Sequence, residues 1–374
     1  MLKTDVLIIG GGIAGSSAGY FAAPHRHVLL VEREPGYGYH TTGRSAAEWT
    51  SAHFDGLMRA VVLYGRPFFD APPPGFATVP LMRKRGNVMF VRAGGEETAE
   101  AFYREAKPSN PTLEEISVDR ALEIVPFLRR SEIARVLYEP ENAEIDVDAL
   151  HQGFLRGLRA AGGETRSSVE FHGAARRDGC WHARIGDETV EATTIVDAAG
   201  AWADDIAAKC GVQPLGLEPR RRTALTFDPG FDASHVPPID EMVSGFYFKA
   251  SGPVLMVSPG DQTPSVPCDA QPEELDVAIA VDQFEALTTL AITRLKSQWA
   301  GLRTFARDEQ PVVGFAPDTP EFLWVVGQGG GGIMSSPGMG QLAASLLRGD
   351  VLDSAARDFG IDAARLSPAR LAGR

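Results

Sequence analysis

Asp5 to Ile9 reads DVLII and runs straight into GGGIAG, and this junction constrains the chain more than any other stretch. A short apolar, β-branched run before a glycine turn has the character of a strand buried on both faces of a parallel sheet. Gly10, Gly12 and Gly15 fit the G-x-G-x-x-G spacing. Small helix-compatible residues follow, and HVLLVE supplies a second apolar strand ending at Glu32. Strand, glycine turn, helix and strand in this order make a βαβ unit. The glycines permit the tight turn, the approach of a pyrophosphate and close helix packing, while the helix N-terminus favours phosphate charge. Glu32 stands about twenty residues past the turn, where an acid accepts hydrogen bonds from a ribose. The unit predicts a Rossmann-type α/β fold with a dinucleotide at Gly10, Gly12, Ile13, Ala14, Gly15, Glu32 and Arg33. The fingerprint alone does not choose between NAD and FAD.

Other stretches bear on that choice. GYHTTGRSAAEWT, Gly38 to Thr50, is a polar loop expected to start a helix at Arg44 and Ser45. Its donors, with Thr42, Gly43 and Ala47, suit a pyrophosphate or a flavin edge. TTIVDAAGAWADDIA predicts a strand returning beside the first one, then a glycine turn and a helix, with Ala199, Gly200 and Trp202 at the cofactor. Val169, in SSVEFHG, is expected on a short edge strand that meets an adenine through its backbone. FLWVV predicts a strand and GMGQLAASLLRG a helix with a glycine stop. Between them lie four consecutive glycines, Gly329, Gly330, Gly331 and Gly332. Glycine is kept where a backbone is strained or closely approached. A planar isoalloxazine ring on this turn, beside Ile333 and Met334, accounts for the missing side chains. The helix dipole would stabilise the negative charge that collects on the reduced ring.

The bulk composition narrows the function classes. A chain of 374 residues has room for two domains. A formal net charge of -13 argues against a general affinity for nucleic acid or anionic membrane. No apolar run reaches the length of a membrane span, and the opening MLKTDVLIIGGG lacks the cleavage pattern of a secretory signal. Cys180, Cys210 and Cys268 are far apart and form no CxxC pair, which predicts reduced thiols, no metal site and a cytoplasmic location. With no cysteine near the C-terminal glycines, a flavin here is expected to be held non-covalently.

GGGIAG, GYHTTGRSAA, DVDALHQGFLRGLR, DAAGAW, PLGLEPRRR, FYFK, WAGLRTF and GQGGGGI occur in this order along nearly the whole chain. Together they resemble the D-amino-acid oxidase superfamily of FAD-dependent oxidoreductases, with the nearest likeness to bacterial FAD-dependent D-arginine dehydrogenases. The resemblance implies a Rossmann-type FAD-binding domain from residues 1–78, 145–217 and 304–374. It also implies an inserted α+β substrate domain with an antiparallel sheet, from 79–144 and 218–303. The residue pattern agrees: GNVMFV, RTALTF, GFYFKA and GPVLMV alternate with turn residues, as antiparallel strands do. ELDVAIAVDQFEALTTLAI predicts a long helix among them.

The implied reaction is oxidative deamination of a D-amino acid to the imino acid, and then to the 2-oxo acid and ammonia, by hydride transfer from Cα to the flavin. The substrate carboxylate must be gripped, and a guanidinium does this through two parallel hydrogen bonds. The resemblance assigns this to Arg222 and Arg303, with the hydroxyl of Tyr247. Strand alternation puts Arg220 on the face of Arg222 and Arg221 on the other. The carbonyls of Gly301 and Gly332 are expected to meet the amine.

The chain departs from its D-arginine relatives at the side-chain pocket. Asn87 stands where they have a glutamate, His53 where they have a lid tyrosine, Glu48 near it for a histidine, and Gly331 for a tyrosine in the C-terminal turn. With Thr50 also at the pocket, these changes predict a neutral rather than cationic side chain. GPVLMVSP lacks the lysine with which sarcosine-type oxidases promote reaction with oxygen, and Lys249 is expected off the ring, so a quinone or other acceptor is expected. Rival readings are a secondary-amine oxidase of the sarcosine or glycine type, an NAD-dependent dehydrogenase, and a flavoprotein with a structural or regulatory role.

Overall fold

The computed structural model describes residues 2–52, 56–350 and 354–372. Along the chain, the elements that build the site are β1 (Leu2–Ile9), α1 (Ile13–Ala22), β2 (Val28–Val31), α2 (Val147–Ala160), β3 (Glu188–Asp197), β4 (Glu218–Phe227), β5 (Tyr247–Ser251), β6 (Val254–Ser258), β7 (Leu295–Phe305), β8 (Thr319–Val326) and α3 (Gly332–Arg348). β1 lies between β2 and β3, parallel to both, and β3 continues the sheet to β8, also in parallel. Leu29 to Val31 pair with a further parallel strand at Glu164–Arg166. The DVLII run is buried because the sheet carries an apolar layer on each face. α1 and α3 cover one face together. A Cβ on Gly340 of α3 would stand 2.8 Å from the Ser17 backbone of α1, so only glycine allows the two helices to come this close.

The second sheet centres on β4, which pairs antiparallel with β7 along one edge and with β6 on the other. It continues through β5 to strands at Ile239–Glu241, Val88–Val91, Arg135–Tyr138 and Glu114–Ile116. The antiparallel expectation holds except at one junction, where Ile239–Glu241 runs parallel to Val88–Val91. The helix expected across 274–292 is Glu274–Leu287, with Phe284 packed edge-on against Phe227 and Phe248. The C-terminal helix begins six residues before GMGQ, at Gly332, and ends as expected on Gly349, whose φ of 79° is left-handed. The polar loop near Arg44 differs from the expectation. It makes one 3-10 turn, Thr42–Arg44, and Ser45 is then extended, so no α-helix starts there. No helix of the described residues is long and apolar enough to cross a membrane.

Candidate active site

A cavity of about 320 Å³ opens at the carboxyl ends of β1, β3 and β8 and is closed by residues of β4 to β7. At its first end the backbone is tightly folded. Gly10 has a φ of 107°, and a Cβ there would lie 2.5 Å from the Ala198 carbonyl oxygen at the end of β3. A Cβ on Gly15 would lie 2.0 Å from the Gly10 carbonyl oxygen. Glu32 is fixed by two backbone donors, Gly11 N–H to Oε2 (2.7 Å) and Glu34 N–H to Oε1 (2.9 Å). Thr42 Oγ1 accepts from the N–H of Ile13 (3.0 Å), so the polar loop caps the start of α1. His151 of α2 is buried and donates from Nε2 to the Gly11 carbonyl (2.9 Å). Burial pushes this imidazole below its ordinary value, which favours the neutral form.

The second glycine turn brings the start of α3 to the same cavity. Gly329 has a φ of 51°, and a Cβ on it would meet the Phe305 ring at 2.4 Å. A Cβ on Gly330 would meet Arg303 Nη1 at 3.2 Å, whereas on Gly332 it would find nothing nearer than 3.6 Å. Gly329 is thus required by its left-handed backbone and by the Phe305 ring, Gly330 sits against the flexible end of Arg303, and Gly332 has the most room of the three. The amide end of Gln328 and the hydroxyl of Thr304 belong to cavity-lining residues, are buried, and lack a protein partner.

At the far end, Arg222 lies opposite Gly301 across β4 and β7. Its Nε donates to the Asp261 carbonyl (2.7 Å), and its guanidinium carbon lies 6.0 Å from the Tyr247 ring centre. Burial, and then the charge of Arg303, push Arg222 down to about 10, against the pull of Tyr247 and Asp261. Arg303 has no ion-pair partner among the described residues. The neighbouring arginines behave differently: Arg220 pairs with Glu218 and Glu309, and Arg221 with Glu273 and Asp276. Two guanidinium groups and a phenol face one cavity with little internal counter-charge, an arrangement whose chemistry suits an anion such as a carboxylate. Ala224 and Met256 supply apolar wall beside them. Lys249 is buried and off this wall, donating to the Ala46 carbonyl (2.5 Å) with Glu48 at 3.7 Å.

A family model described as FAD dependent oxidoreductase matches residues 5–346. The chain belongs to that family. FAD-dependent oxidoreductase domain-containing protein 1 of Xenopus laevis is 24% identical, over 92% of this chain and 79% of that protein. Among solved structures, glycine oxidase from Geobacillus kaustophilus superposes with a TM-score of 0.87 at 20% identity, covering 100% of both chains. L-proline dehydrogenase from P. horikoshii superposes with a TM-score of 0.85 at 18% identity, covering 99% of this chain and 98% of that one.

The wall of the cavity fits the family's FAD. It offers backbone at the starts of two helices, at Gly12 and Ala14 beside the Ile13 N–H that Thr42 already takes, and at Gly332 and Ile333, with unpartnered polar groups on Thr304 and Gln328. Glu32, Arg33, Thr42, Arg44, Ser45, Val169, Ala199, Gly200, Trp202, Gly329 and Gly330 also line it. Several have their donors engaged elsewhere. Arg44 bonds the carbonyls of Ala270 and Ala300 and the Asp269 carboxylate, so it ties the loop to the second sheet instead of offering a free cation. Val169 is not in a strand, and its N–H donates to the Glu32 carbonyl (2.9 Å). Arg33 stacks on Trp202, 4.2 Å from its ring centre.

Other expected contacts lie off the described wall. Gly15 serves helix-to-strand packing, Gly43 faces the Gly38 carbonyl at 2.8 Å, and Ala47 is held at a φ of 48° behind Ser45. Gly331 is the N-cap of α3, and Met334 belongs to the apolar cluster behind it. Gly332 is the first helical residue, where the N–H points out of the helix and the carbonyl points along it, so the amine-acceptor role expected for that carbonyl does not suit its geometry. Thr50 is buried and donates to Glu139 (2.6 Å). Asn87 is fully buried, and its amide donates to Asp240 (2.6 Å), so it does not border the cavity as expected. His53 lies outside the described residues. Sequence reasoning passed over His151, Met256, Asp261, Thr304 and Gln328. His151 alone carried a signal, an imidazole on the buried face of an amphipathic helix.

Proposed function

We propose that the protein oxidises the α-carbon–nitrogen bond of a D-amino acid with a neutral side chain, yielding an imino acid that water converts to the 2-oxo acid and ammonia. The observation that carries this reading is the convergence of Arg222, Arg303 and Tyr247 on one end of the cofactor cavity, with little internal counter-charge. Bound FAD supplies the two-electron acceptor for that oxidation. The arginines and the phenol hold the carboxylate, and Gly301 offers backbone beside Arg222 for the amine. The D configuration rests on the resemblance to the D-arginine enzymes. The neutral preference no longer rests on Asn87. It is supported by Ala224 and Met256, and by the lack of any acid among the described wall residues at this end. Met256 faces the cavity on the strand that lacks a lysine, which favours an acceptor such as a quinone over oxygen. On this reading 79–144 and 218–303 form the substrate-covering unit.

A second reading, a secondary amine with a carboxylate, is favoured by one of the proteins that this fold resembles, named as L-proline dehydrogenase, because proline is a secondary amine. The same arginine grip would serve it. Anaerobic mixing of the yellow holoenzyme with D-amino acids, L-amino acids, sarcosine and proline separates the two by which class bleaches the flavin. Bleaching by sarcosine or proline and by no D-amino acid selects the second reading, and no bleaching by any carboxylate-bearing amine removes both.

A further inference from the structure

Asp261 is a carboxylate beside two guanidinium groups that is hydrogen-bonded through its side chain to neither. Oδ1 lies 3.9 Å from Arg222 Nε, and Oδ2 lies 3.9 Å from Arg221 Nε. A carboxylate at that distance from a partly buried arginine ordinarily closes into a two-point pair. Here both oxygens are already engaged by one residue: Thr223 donates its backbone N–H to Oδ1 (2.7 Å) and its hydroxyl to Oδ2 (3.1 Å). Only the Asp261 main-chain carbonyl reaches Arg222, through Nε.

The cause is local. β4 is paired on this edge at Arg220–Arg221 with Thr263–Pro264, and again from Leu225 to Phe227 with β6. The Thr223 N–H falls in the gap, fully buried, and the Asp261 side chain takes the place of a strand partner. The loop is pinned from behind by Gly260, whose φ is 84° and whose Cβ would stand 2.5 Å from the Gly245 carbonyl group, at the turn leading into Tyr247. Resting on the reading of Arg222 as a carboxylate-binding residue, we propose that Thr223 is a positioning residue of the substrate site. By holding both oxygens of Asp261 it withholds an internal anion from Arg222, and the outer guanidinium nitrogens stay free for the substrate carboxylate.

The groups facing Arg222 are Arg303 from β7, Tyr247 from β5 and Asp261, with Asp276 behind Asp261. Burial raises the Asp261 carboxyl, and the two Thr223 donors, with Arg222, pull it back toward the ionised form. The test uses the holoenzyme and propionate, a carboxylate with no amine, titrated by the change in flavin absorbance at pH 8. Thr223→Val removes the hydroxyl tie and should weaken propionate roughly fivefold, the worth of one hydrogen bond. Asp261→Asn removes the competing charge but keeps an acceptor for the Thr223 N–H, and should bind propionate as well as the unaltered protein or tighter. In the double variant, Asp261→Asn should restore the affinity lost in Thr223→Val, a coupling that a purely structural tie would not produce. Unchanged affinity in Thr223→Val, or fivefold weaker binding in Asp261→Asn, overturns the proposal. Should Thr223→Val fail to fold, the sign of the Asp261→Asn change decides alone. Propionate binding that survives Arg222→Met removes the underlying reading of the site instead.

Discussion

Two glycine turns flank the cofactor cavity, and they are enforced by different neighbours. At the first, Gly10 and Gly15 are pressed by carbonyl oxygens at 2.5 and 2.0 Å, so the demand comes from backbone packed on backbone. At the second, Gly329 and Gly330 are pressed by the Phe305 ring and the Arg303 guanidinium, side chains of a strand from the other sheet. Gly332 is pressed by nothing closer than 3.6 Å. Similar glycine-rich sequence therefore reports three different things: a turn that the fold cannot do without, a seat for site side chains, and a position with room to spare.

The largest expected effect tests that division. Gly15→Ala places a methyl group against a fixed carbonyl oxygen, and neither α1 nor β1 can retreat without opening the core. We expect a loss above ~3 kcal/mol and little soluble, flavin-loaded protein. Gly332→Ala should do the opposite to the protein alone, since alanine in a helix gains roughly 0.5–1 kcal/mol over glycine. Its cost should appear only in FAD affinity. Thermal melts of the apo and FAD-loaded forms separate the two, and a Gly332→Ala apoprotein that melts well below the original would show that this glycine too is structural.

The next effect belongs to the far end of the cavity. Arg222→Met and Arg303→Met should each lower kcat/KM by about a hundredfold or more, as expected for a charge pair lost in a desolvated site. The flavin spectrum should remain, because neither residue holds the first glycine turn. The neighbouring Arg220→Met, which removes a partner of exposed Glu218 and Glu309, should change kcat/KM less than threefold. Near-normal kinetics in either of the first two variants would return that arginine to the surface class.

The two ends also differ in how far they could be read from the sequence. The first is contiguous: strand, turn, helix, strand and Glu32 lie within thirty-two residues, and each depends on backbone geometry that residue type reports directly. The far end is assembled from β4, β5, β6 and β7, and the sign of each side chain's exposure depends on register set by distant pairing. Arg220, Arg221 and Arg222 are identical in type and adjacent, and only strand alternation and resemblance singled out Arg222. Asn87 shows the limit. Its strand was expected correctly, but its side chain is turned into a buried contact with Asp240 that no local pattern announces. The same holds for Asp261, which fills a gap in a strand edge.

Asn87 supplies the third prediction. Were it a pocket residue, Asn87→Glu would shift preference toward D-arginine and D-lysine. Buried against Asp240, a glutamate there instead brings two carboxylates together without water. We expect a loss of ~1–3 kcal/mol in stability, measured by denaturant titration, and no gain in kcat/KM for cationic over neutral substrates. A gain for D-arginine would place the residue back at the pocket.

The smallest effect is a dependence on pH, and it belongs to the first turn. His151 donates from Nε2 to the Gly11 carbonyl, and its ring fills the space that a Cβ on Gly38 would enter, at 3.0 Å. Burial lowers its pKa in the folded protein below 6.5, with the Gly11 bond and the Asp148 charge opposing. The unfolded chain therefore binds the proton more readily. Stability is full above about pH 6.5 and is lost as pH falls through the window between that value and the lowered one, because unfolding takes up a proton that the native helix excludes. Melting temperatures of the holoenzyme between pH 7 and pH 5 should fall more steeply for the original protein than for His151→Gln. The glutamine amide can still donate toward Gly11 but does not titrate. Equal slopes would mean that the imidazole titrates alike in the folded and unfolded chain, and burial would then not exclude the proton; a shallower slope in the original protein would mean that the turn is held by a charged donor.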